Sequence, residues 1–196
     1  MAIRRSLTGR DIRSELLVAA SRLFIERGVQ NTSLKDIAQA CQISTGTLFY
    51  YYASKSDLIF DVTDQHFNQL TGQLMDWVSR AGQHEDPQII LQVVYETIVG
   101  DSLRGKLHHY LIEAAVSSQP EIRLKFRQKY AEWLRMIQLG LSQFLSGDQQ
   151  MLAQLILASL DGLVIQSILG LEDIPIKDIT AFLAESTQQY QPTGGA

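Results

Sequence analysis

Hydrophobic and polar positions repeat with helical spacing along the whole chain. From Ile12 to Leu23 apolar residues recur every three or four positions, which predicts a first helix that ends at Gly28. No stretch shows the convincing period-two alternation that would indicate a β-strand. The chain is therefore predicted to be all-α, with about nine helices.

The most informative pattern is a pair of short helices between Thr32 and Lys55. Ser33 and Asp36 have the spacing of a capping box, so one helix is predicted to begin there. Ser44 can cap a second helix after a break of only two residues. A break this short forces a sharp change of direction, so residues 33–52 are predicted to form a helix-turn-helix.

The outer face of the second short helix carries hydroxyl and aromatic side chains instead of the Lys and Glu of an ordinary solvated surface. Its residues are Thr45, Gly46, Thr47, Tyr50 and Tyr51. Hydroxyl and phenol groups can bond phosphate oxygens and base edges, and threonine methyl groups can pack on thymine methyls. This face is predicted to contact DNA.

The remaining pattern predicts a helical body. A long helix should begin at the capping pair Ser54 and Asp57 and continue to Ala81, and Pro87 should open the next helix, which breaks near Gly100. Four further helices are predicted, over Leu103 to Val116, Glu121 to Leu145, Leu152 to Leu171 and Lys177 to Gln188.

The segment from Leu152 to Leu171 is apolar on nearly all sides, so it must be covered on two sides. One side can be the chain's own core, and a second copy of the chain would cover the other in a symmetric dimer. The predicted dimer interface consists of Leu152, Ile156, Leu160, Leu163 and Ser167. The alternative is a fully buried central helix in a monomer.

The distribution of charge supports a DNA contact at one end of the chain. The net charge is -4, yet residues 1–55 contain eight Lys and Arg against four Asp and Glu. An acidic body with a basic amino-terminal part is typical of a protein that touches nucleic acid with one end. Within residues 1–10, Arg4, Arg5 and Arg10 could follow the DNA backbone, or the segment could be a disordered tail.

Cysteine content and hydropathy indicate the compartment. One cysteine, Cys41, excludes an internal disulfide, and its place on an apolar helix face favours a packed thiol over a nucleophile. The start lacks an apolar signal core, and no apolar run is expected to reach the ~18 residues of a membrane span. A cytoplasmic protein without membrane contact is predicted.

The amino-terminal segment resembles the DNA-binding unit of the TetR family of bacterial repressors, over roughly residues 11 to 60. The positions that carry the resemblance are Phe24, Gly28, Thr32, Ile37, Ala38, Ile43, Ser44, Gly46, Thr47, Leu48, Phe49, Lys55, Ser56, Asp57 and Leu58. Three positions depart from the family pattern: Gln42 replaces a turn glycine, Phe49 a phosphate-bonding tyrosine, and Tyr52 a phenylalanine.

The resemblance implies a DNA-binding domain over residues 1–56 and a ligand-binding and dimerisation domain over residues 57–196. Its DNA-binding residues would be Ser33, Lys35, Ser44, Thr45, Gly46, Thr47, Phe49, Tyr50, Tyr51 and Lys55, with Ser33, Lys35 and Lys55 holding phosphates. The implied function is a homodimeric repressor that a small molecule releases from a palindromic double-stranded operator. The alternative is a helical ligand-binding or dimeric interaction protein whose DNA binding is degenerate.

Aromatic residues in the body could enclose the implied effector, although ordinary core packing explains them equally. The candidate pocket consists of Tyr95, His109, Tyr110, Phe126, Tyr130 and Trp133. His109 and Glu113 share a helix face, but a surface contact explains that pair better than a metal, since further ligands are missing. Neither a catalytic motif nor a phosphate-binding glycine loop is visible, so no enzyme activity, cofactor or metal is predicted.

Overall fold

The computed structural model of the protein describes residues 11–81, 85–117, 119–143 and 149–189. Within these ranges the chain forms nine α-helices and no strand, which confirms the predicted all-α class. The basic segment with Arg4, Arg5 and Arg10 lies outside the described residues, as does Leu145.

The helices have the following bounds: α1 Ile12–Arg27, α2 Leu34–Ala40, α3 Thr45–Tyr51, α4 Lys55–Ala81, α5 Pro87–Gly100, α6 Ser102–Ser117, α7 Pro120–Leu141, α8 Gln150–Ile168 and α9 Ile176–Gln189. The chain divides into two compact units between Gln65 and His66. Helix α4 contributes residues to both units. The functional domains predicted from the sequence, 1–56 and 57–196, divide α4 earlier, and their roles stay a prediction.

The first unit is built from α1, α2, α3 and the start of α4. The carboxylate of Asp11 accepts a hydrogen bond from the Ser14 amide and caps α1, and Gly28 ends the helix with a φ of 79°, as the sequence predicted. The core consists of side chains with at most 2% exposure: Leu16, Leu23, Phe24, Ile37, Ala38, Leu48, Leu58 and Ile59. This core fixes the two short helices against α1.

The second unit is organised around α8, which packs against α5, α6 and α7. Gly105 of α6 permits a close approach, because a Cβ atom there would lie 2.9 Å from Cγ2 of Ile168 and 3.0 Å from Cγ1 of Val164. Such distances are shorter than normal carbon contacts. Helix α6 therefore sits closer to α8 than a larger residue would allow.

Two helices end earlier than the sequence pattern predicted. Helix α7 ends at Leu141, with Ser142 as its cap, and not at Leu145. Helix α8 ends at Ile168, because Gly170 adopts a φ of 81° and stops the helix before Leu171. The apolar periodicity continued through Gly170, which hid this stop in the sequence.

The residues of the predicted dimer interface on α8 differ in exposure, and the interface itself stays a prediction. Leu152, Ile156, Leu160 and Leu163 are buried in the core of their own unit, and Ser167 is half-buried. The outward face instead carries Met151, Leu155, Ile165 and Leu169, which are between 40% and 71% exposed. A helix that is apolar all round gives no periodic signal for its orientation, so the sequence could not separate the buried face from the exposed one.

Helix α8 also corrects the expectation that no segment is long and apolar enough to span a membrane. Over the described residues it is the one helix that passes by length and composition, with 19 residues and a mean hydropathy of 1.6. The helix packs against three other helices, 39% of its apolar window is buried, and an apolar face remains exposed.

Candidate DNA-binding face and ligand cavity

A reciprocal pair of hydrogen bonds fixes the start of α2. The backbone amide of Ser33 donates to the Asp36 carboxylate at 2.8 Å, and the Asp36 amide donates to the Ser33 hydroxyl oxygen at 3.2 Å. This confirms the predicted capping box. The hydrogen bonds from Ser33 hold the pKa of the Asp36 carboxyl below its usual value. Ser33, predicted to hold phosphate, therefore has a structural role in the helix cap.

Helix α3 begins at a second cap. The Ser44 hydroxyl oxygen accepts from the Thr47 amide at 3.0 Å, and the two hydroxyl groups lie 2.8 Å apart. Thr47 is half-buried, so its hydroxyl belongs to the cap as well as to the face predicted to contact DNA. The two short helices are thus held at their starts by side chains that the sequence pattern had identified.

The turn between α2 and α3 contains a residue in an unusual conformation. Gln42 has a φ of 56°, in the left-handed region that favours glycine. The Ile43 amide then donates to the Ala38 carbonyl at 3.0 Å and closes the turn. Gln42, which replaces the turn glycine of the family pattern, therefore adopts the backbone conformation of a glycine and is strained by it.

Aromatic side chains dominate the exposed surface of α3. Tyr50 is 84% exposed, Phe49 51% and Tyr51 40%. The rings of Tyr50 and Tyr51 meet edge to face, with centroids 5.3 Å apart. Gly46 is also exposed and Thr45 is half-buried. Three adjacent exposed aromatic residues are a costly surface for a protein without a partner at this face.

The two lysines predicted to hold phosphates have different surroundings. Lys35 is exposed, as a phosphate contact requires. The ammonium group of Lys55 is half-buried and donates to the Val29 carbonyl at 2.5 Å, and this burial lowers its pKa. Lys55 therefore braces the loop after α1 within the first unit.

A polar network that the sequence analysis missed ties Tyr52 to α1 and α4. The Tyr52 hydroxyl donates to Oδ2 of Asp61 at 3.0 Å, and the guanidinium of Arg13 bonds the same oxygen at 2.5 Å. Burial is the main cause that raises the pKa of Tyr52 to about 12. Tyr52 follows the last turn of α3, so the network fixes the end of that helix. Only its departure from the family phenylalanine marked this residue in the sequence.

The second unit contains a cavity of about 140 Å³. Its lining is mostly apolar and comes from α4, α5, α6, α7 and α8. Representative apolar lining residues are Phe67, Leu74, Val94, Trp133, Ile137 and Leu160. Three ionisable residues also line it: Arg104 and His108 from α6, and Asp161 from α8. An apolar cavity with a few polar groups is typical of a small-molecule site.

His108 is surrounded by aromatic rings and joined to a carboxylate. Its ring lies 5.4 Å from that of Phe126 and 5.5 Å from that of Trp133 between centroids. The Tyr130 hydroxyl lies 3.3 Å from Nε2 of His108 and donates to Asp161 at 2.8 Å. Burial and the Asp161 charge raise the pKa of Tyr130. This cluster orders one side of the cavity.

Of the predicted pocket residues, Trp133 lines the cavity, while Tyr130 and Phe126 support it through His108. The Tyr95 hydroxyl lies 2.6 Å from that of Ser159, and burial raises its pKa to about 12. Tyr95, His109 and Tyr110 do not line the cavity. His109 is exposed, and the preceding residue, His108, points inward. The sequence did not show which of the two adjacent histidines faces the core, because it does not give the rotation of α6 about its axis.

The first unit contains a helix-turn-helix, and the second unit is helical. This arrangement is typical of DNA-binding regulators that have a second helical domain. Residues 16–62 match the family described as "Bacterial regulatory proteins, tetR family". The first unit is therefore similar to the DNA-binding domain of that family, and the relatives that the chain matches are transcriptional regulators. This confirms the resemblance found in the sequence.

Relatives and solved structures agree with this assignment. The "HTH-type transcriptional repressor KstR2" of Mycobacterium tuberculosis (strain CDC 1551 / Oshkosh) is 28% identical over 136 residues, which are 67% of each chain. Thermus thermophilus FadR, a TetR-family repressor solved with lauroyl-CoA, shares the fold with a TM-score of 0.66 and 20% identity, over 94% of this chain and 100% of that one. These relatives are regulators, which supports the prediction that the chain is not an enzyme.

A second solved structure extends the comparison of the fold. It is a regulator from Saccharomonospora viridis in complex with choline, with a TM-score of 0.65 and 21% identity, over 90% of this chain and 95% of that one. At these identities the two solved structures establish the fold alone. The curated relative is covered over about two thirds of its length.

Proposed function

We propose that the protein is a homodimeric, cytoplasmic repressor that binds a palindromic operator through α3 and is released when a small molecule occupies the cavity of the second unit. The observation that carries this proposal is the exposed face of α3. That face combines Tyr50, Phe49 and Tyr51 with the small residues Thr45 and Gly46. Flat aromatics and short side chains can approach base edges and sugars in a major groove.

The charges around this face favour DNA. Lys35 is exposed at the start of α2 and is the described residue best placed to bind a phosphate among those predicted from the sequence. Ser33 and Ser44 would position the two helices through their caps, with Thr47 sharing its hydroxyl between the cap and the DNA. Lys55 would act mainly by holding the loop at Val29.

The dimer is proposed to form through the outward face of α8. Met151, Leu155, Ile165 and Leu169 lie on this face, with Phe182 of α9 69% exposed. Their spacings of four, ten and four residues, up to the cap residue Leu169, keep them on one side of the helix, as a helix-to-helix seam requires. A second copy of the same chain presents an identical apolar face, which makes the contact self-complementary.

The effector is proposed to occupy the cavity lined by Arg104, His108 and Trp133. A helical wall made by five helices can change its packing when a ligand enters, and α4 continues from this wall into the first unit. The coupling between effector and operator must be reciprocal, with about 1–3 kcal/mol being typical. Proteins of this fold solved with lauroyl-CoA and with choline support a small molecule as the effector.

Selection of bound duplexes from random DNA tests the DNA-binding part. The expected product is a two-fold symmetric site with half-sites about one helical turn or a multiple apart. Tyr50→Ala should relax the preference at particular base pairs. Lys35→Ala should weaken binding to all DNA sequences alike. It should also reduce the slope of log affinity against log salt concentration by about one. Absence of any enriched sequence would instead support the interaction protein without DNA recognition.

Sedimentation measurements test the dimer. Leu155→Glu should shift the protein toward monomer, because it places a charge in the centre of the proposed apolar seam. Gln128→Glu is the matched control, since Gln128 is an exposed polar residue of another helix, α7. A Leu155→Glu protein that remains as dimeric as the control would show that another surface makes the contact.

A further inference from the structure

The ionisable residues of the cavity differ in how many of their polar atoms have hydrogen-bond partners. Arg104 is only 6% exposed, although it carries a guanidinium group. One of its terminal nitrogens donates to the Ile98 carbonyl at 2.5 Å. Its Nε atom is buried and has no hydrogen-bond partner among the described residues. A buried donor without a partner is costly, and it is most costly on a charged group.

The charge of Arg104 also lacks a direct counter-ion. Within the described part of the chain, no carboxylate lies within ion-pair distance of its guanidinium; the ion pairs found there involve other residues. Asp101 and Asp161 act on it only as nearby charges. The guanidinium carbon lies over the ring of Phe67, 5.9 Å from its centroid. The cavity thus contains a buried cation with two acidic residues nearby but no direct ion pair among the described residues.

From this arrangement we infer that the effector is an amphipathic anion, with a carboxylate or a similar oxyanion bound by Arg104 and a short apolar body in the rest of the cavity. The inference rests on the proposed function and names the chemical class of its effector. A carboxylate accepts from a guanidinium with two oxygens, and it supplies the negative charge that no residue places in an ion pair with Arg104.

The carboxylate of Asp161 favours a cationic ligand less than Arg104 favours an anionic one. Its Oδ2 already accepts a hydrogen bond from Tyr130 at 2.8 Å, and its Oδ1 lies 3.7 Å from Nε2 of His108. The Asp161 side chain is also 32% exposed, so water can hydrate it. A cationic head group would in addition meet the charge of Arg104. Of the two charged residues of the cavity, Arg104 is the one with a buried polar atom that no described residue satisfies.

The size and lining of the cavity limit the apolar body of the ligand. A dry apolar cavity of roughly 150 Å³ accepts a benzene-sized molecule. The cavity here has a similar volume of about 140 Å³. Apolar side chains such as Leu74, Val94 and Ile137 form most of its wall. An apolar body of a ring or a short alkyl chain fits this space, and octanoate is therefore a suitable probe.

Calorimetric titration of the full chain with three probes tests the inference. Octanoate, octanol and octyltrimethylammonium have the same alkyl chain and differ in the charge of the head group. Octanoate should bind at least tenfold more tightly than either of the others, because only octanoate supplies an oxyanion to Arg104. Tighter binding of octyltrimethylammonium, or equal binding of octanoate and octanol, would overturn the inference without any variant.

A pair of variants tests the role of Arg104 itself. Arg104→Met removes the charge and keeps an unbranched side chain. It should lower the affinity for octanoate at least tenfold and change the affinity for octanol by less than about twofold. Lys106→Met is the matched control, since it removes one positive charge from an exposed position of the same helix. Octanoate affinity that is equal in the Arg104→Met and Lys106→Met proteins would overturn the inference. Arg104→Lys serves where Arg104→Met does not fold, and it should also lose octanoate affinity because it cannot bind both oxygens.

Operator binding without probe separates this inference from the proposed function. A protein that binds an operator but prefers the cationic or neutral probe leaves the regulator intact and refutes the anionic effector. A protein that prefers octanoate through Arg104 but selects no DNA sequence supports the anionic site and refutes the repressor.

Discussion

Gly105 of α6 is the position where a single methyl group should test the packing of the second unit. In Gly105→Ala the new Cβ would meet Ile168 at 2.9 Å and Val164 at 3.0 Å. Inserting an atom into a packed contact of this kind costs about 1–3 kcal/mol. Alanine also gains about 1 kcal/mol of helix propensity over glycine. The two effects have opposite sign, so the variant alone gives an ambiguous net change.

Gly72→Ala in α4 isolates the packing cost. Gly72 is exposed, and no atom lies within 4 Å of the position that a Cβ atom would take there, so only the helix propensity changes. The free energy of unfolding of Gly105→Ala should therefore lie about 1–3 kcal/mol below that of Gly72→Ala. Gly72→Ala itself should be more stable than the wild type.

Urea unfolding followed by tryptophan fluorescence measures this difference. Both tryptophans, Trp77 and Trp133, belong to the second unit, so the signal reports the unit that contains the α6–α8 contact. Equal stabilisation by Gly105→Ala and Gly72→Ala would refute the close approach of the two helices. Because α6 also carries Arg104 and His108, octanoate titration of Gly105→Ala would then show whether the cavity depends on that approach.

Three further variants test the first unit. Gln42→Gly should stabilise the first unit by up to about 1 kcal/mol, because glycine relieves the strain of the left-handed φ of 56° but loses more chain entropy on folding. Chemical unfolding followed by circular dichroism measures this change, and a destabilised protein would contradict the strain. Tyr52→Phe should cost about 1–2 kcal/mol in the same assay, because Asp61 loses a hydrogen bond, and no loss would show that the network with Arg13 is dispensable. The folded-state pKa of Asp36 is lowered, so its capping stability is present above the usual value near 3.8 and is lost as pH falls through the folded pKa. The stability difference between wild type and Ser33→Ala should accordingly narrow below pH 3.8 in acid titrations, and a constant gap would contradict this linkage.

Local signals in the sequence determined most of the secondary structure. The Ser33 and Asp36 cap, the Ser44 cap, Gly28 and Pro87 each act on backbone groups within a few residues, so their effects could be predicted without the fold. The family resemblance also depended on an ordered series of such local positions. The helix-turn-helix and the all-α class were predictable for this reason.

Features that depend on the rotation of a helix against distant neighbours were decided by the tertiary structure. The sequence chose His109 for the pocket, but the packing of α6 turns His108 and Arg104 inward. It also predicted the dimer contact at α8 residues that lie in the core of their own unit, because Leu160 and Leu155 are equally apolar and only contacts with α5, α6 and α7 decide which is buried.

The same reason applies to the polar contacts of the first unit. Arg13 and Asp61 are 48 residues apart in the sequence, and no local pattern relates them. The Tyr52 hydroxyl reaches Asp61 only because α3 and α4 fold back on each other. The sequence by itself determined where the helices begin and which family they resemble, since those signals are short-range. Which side chains enter the cavity or form the core was decided by packing between residues far apart in the chain.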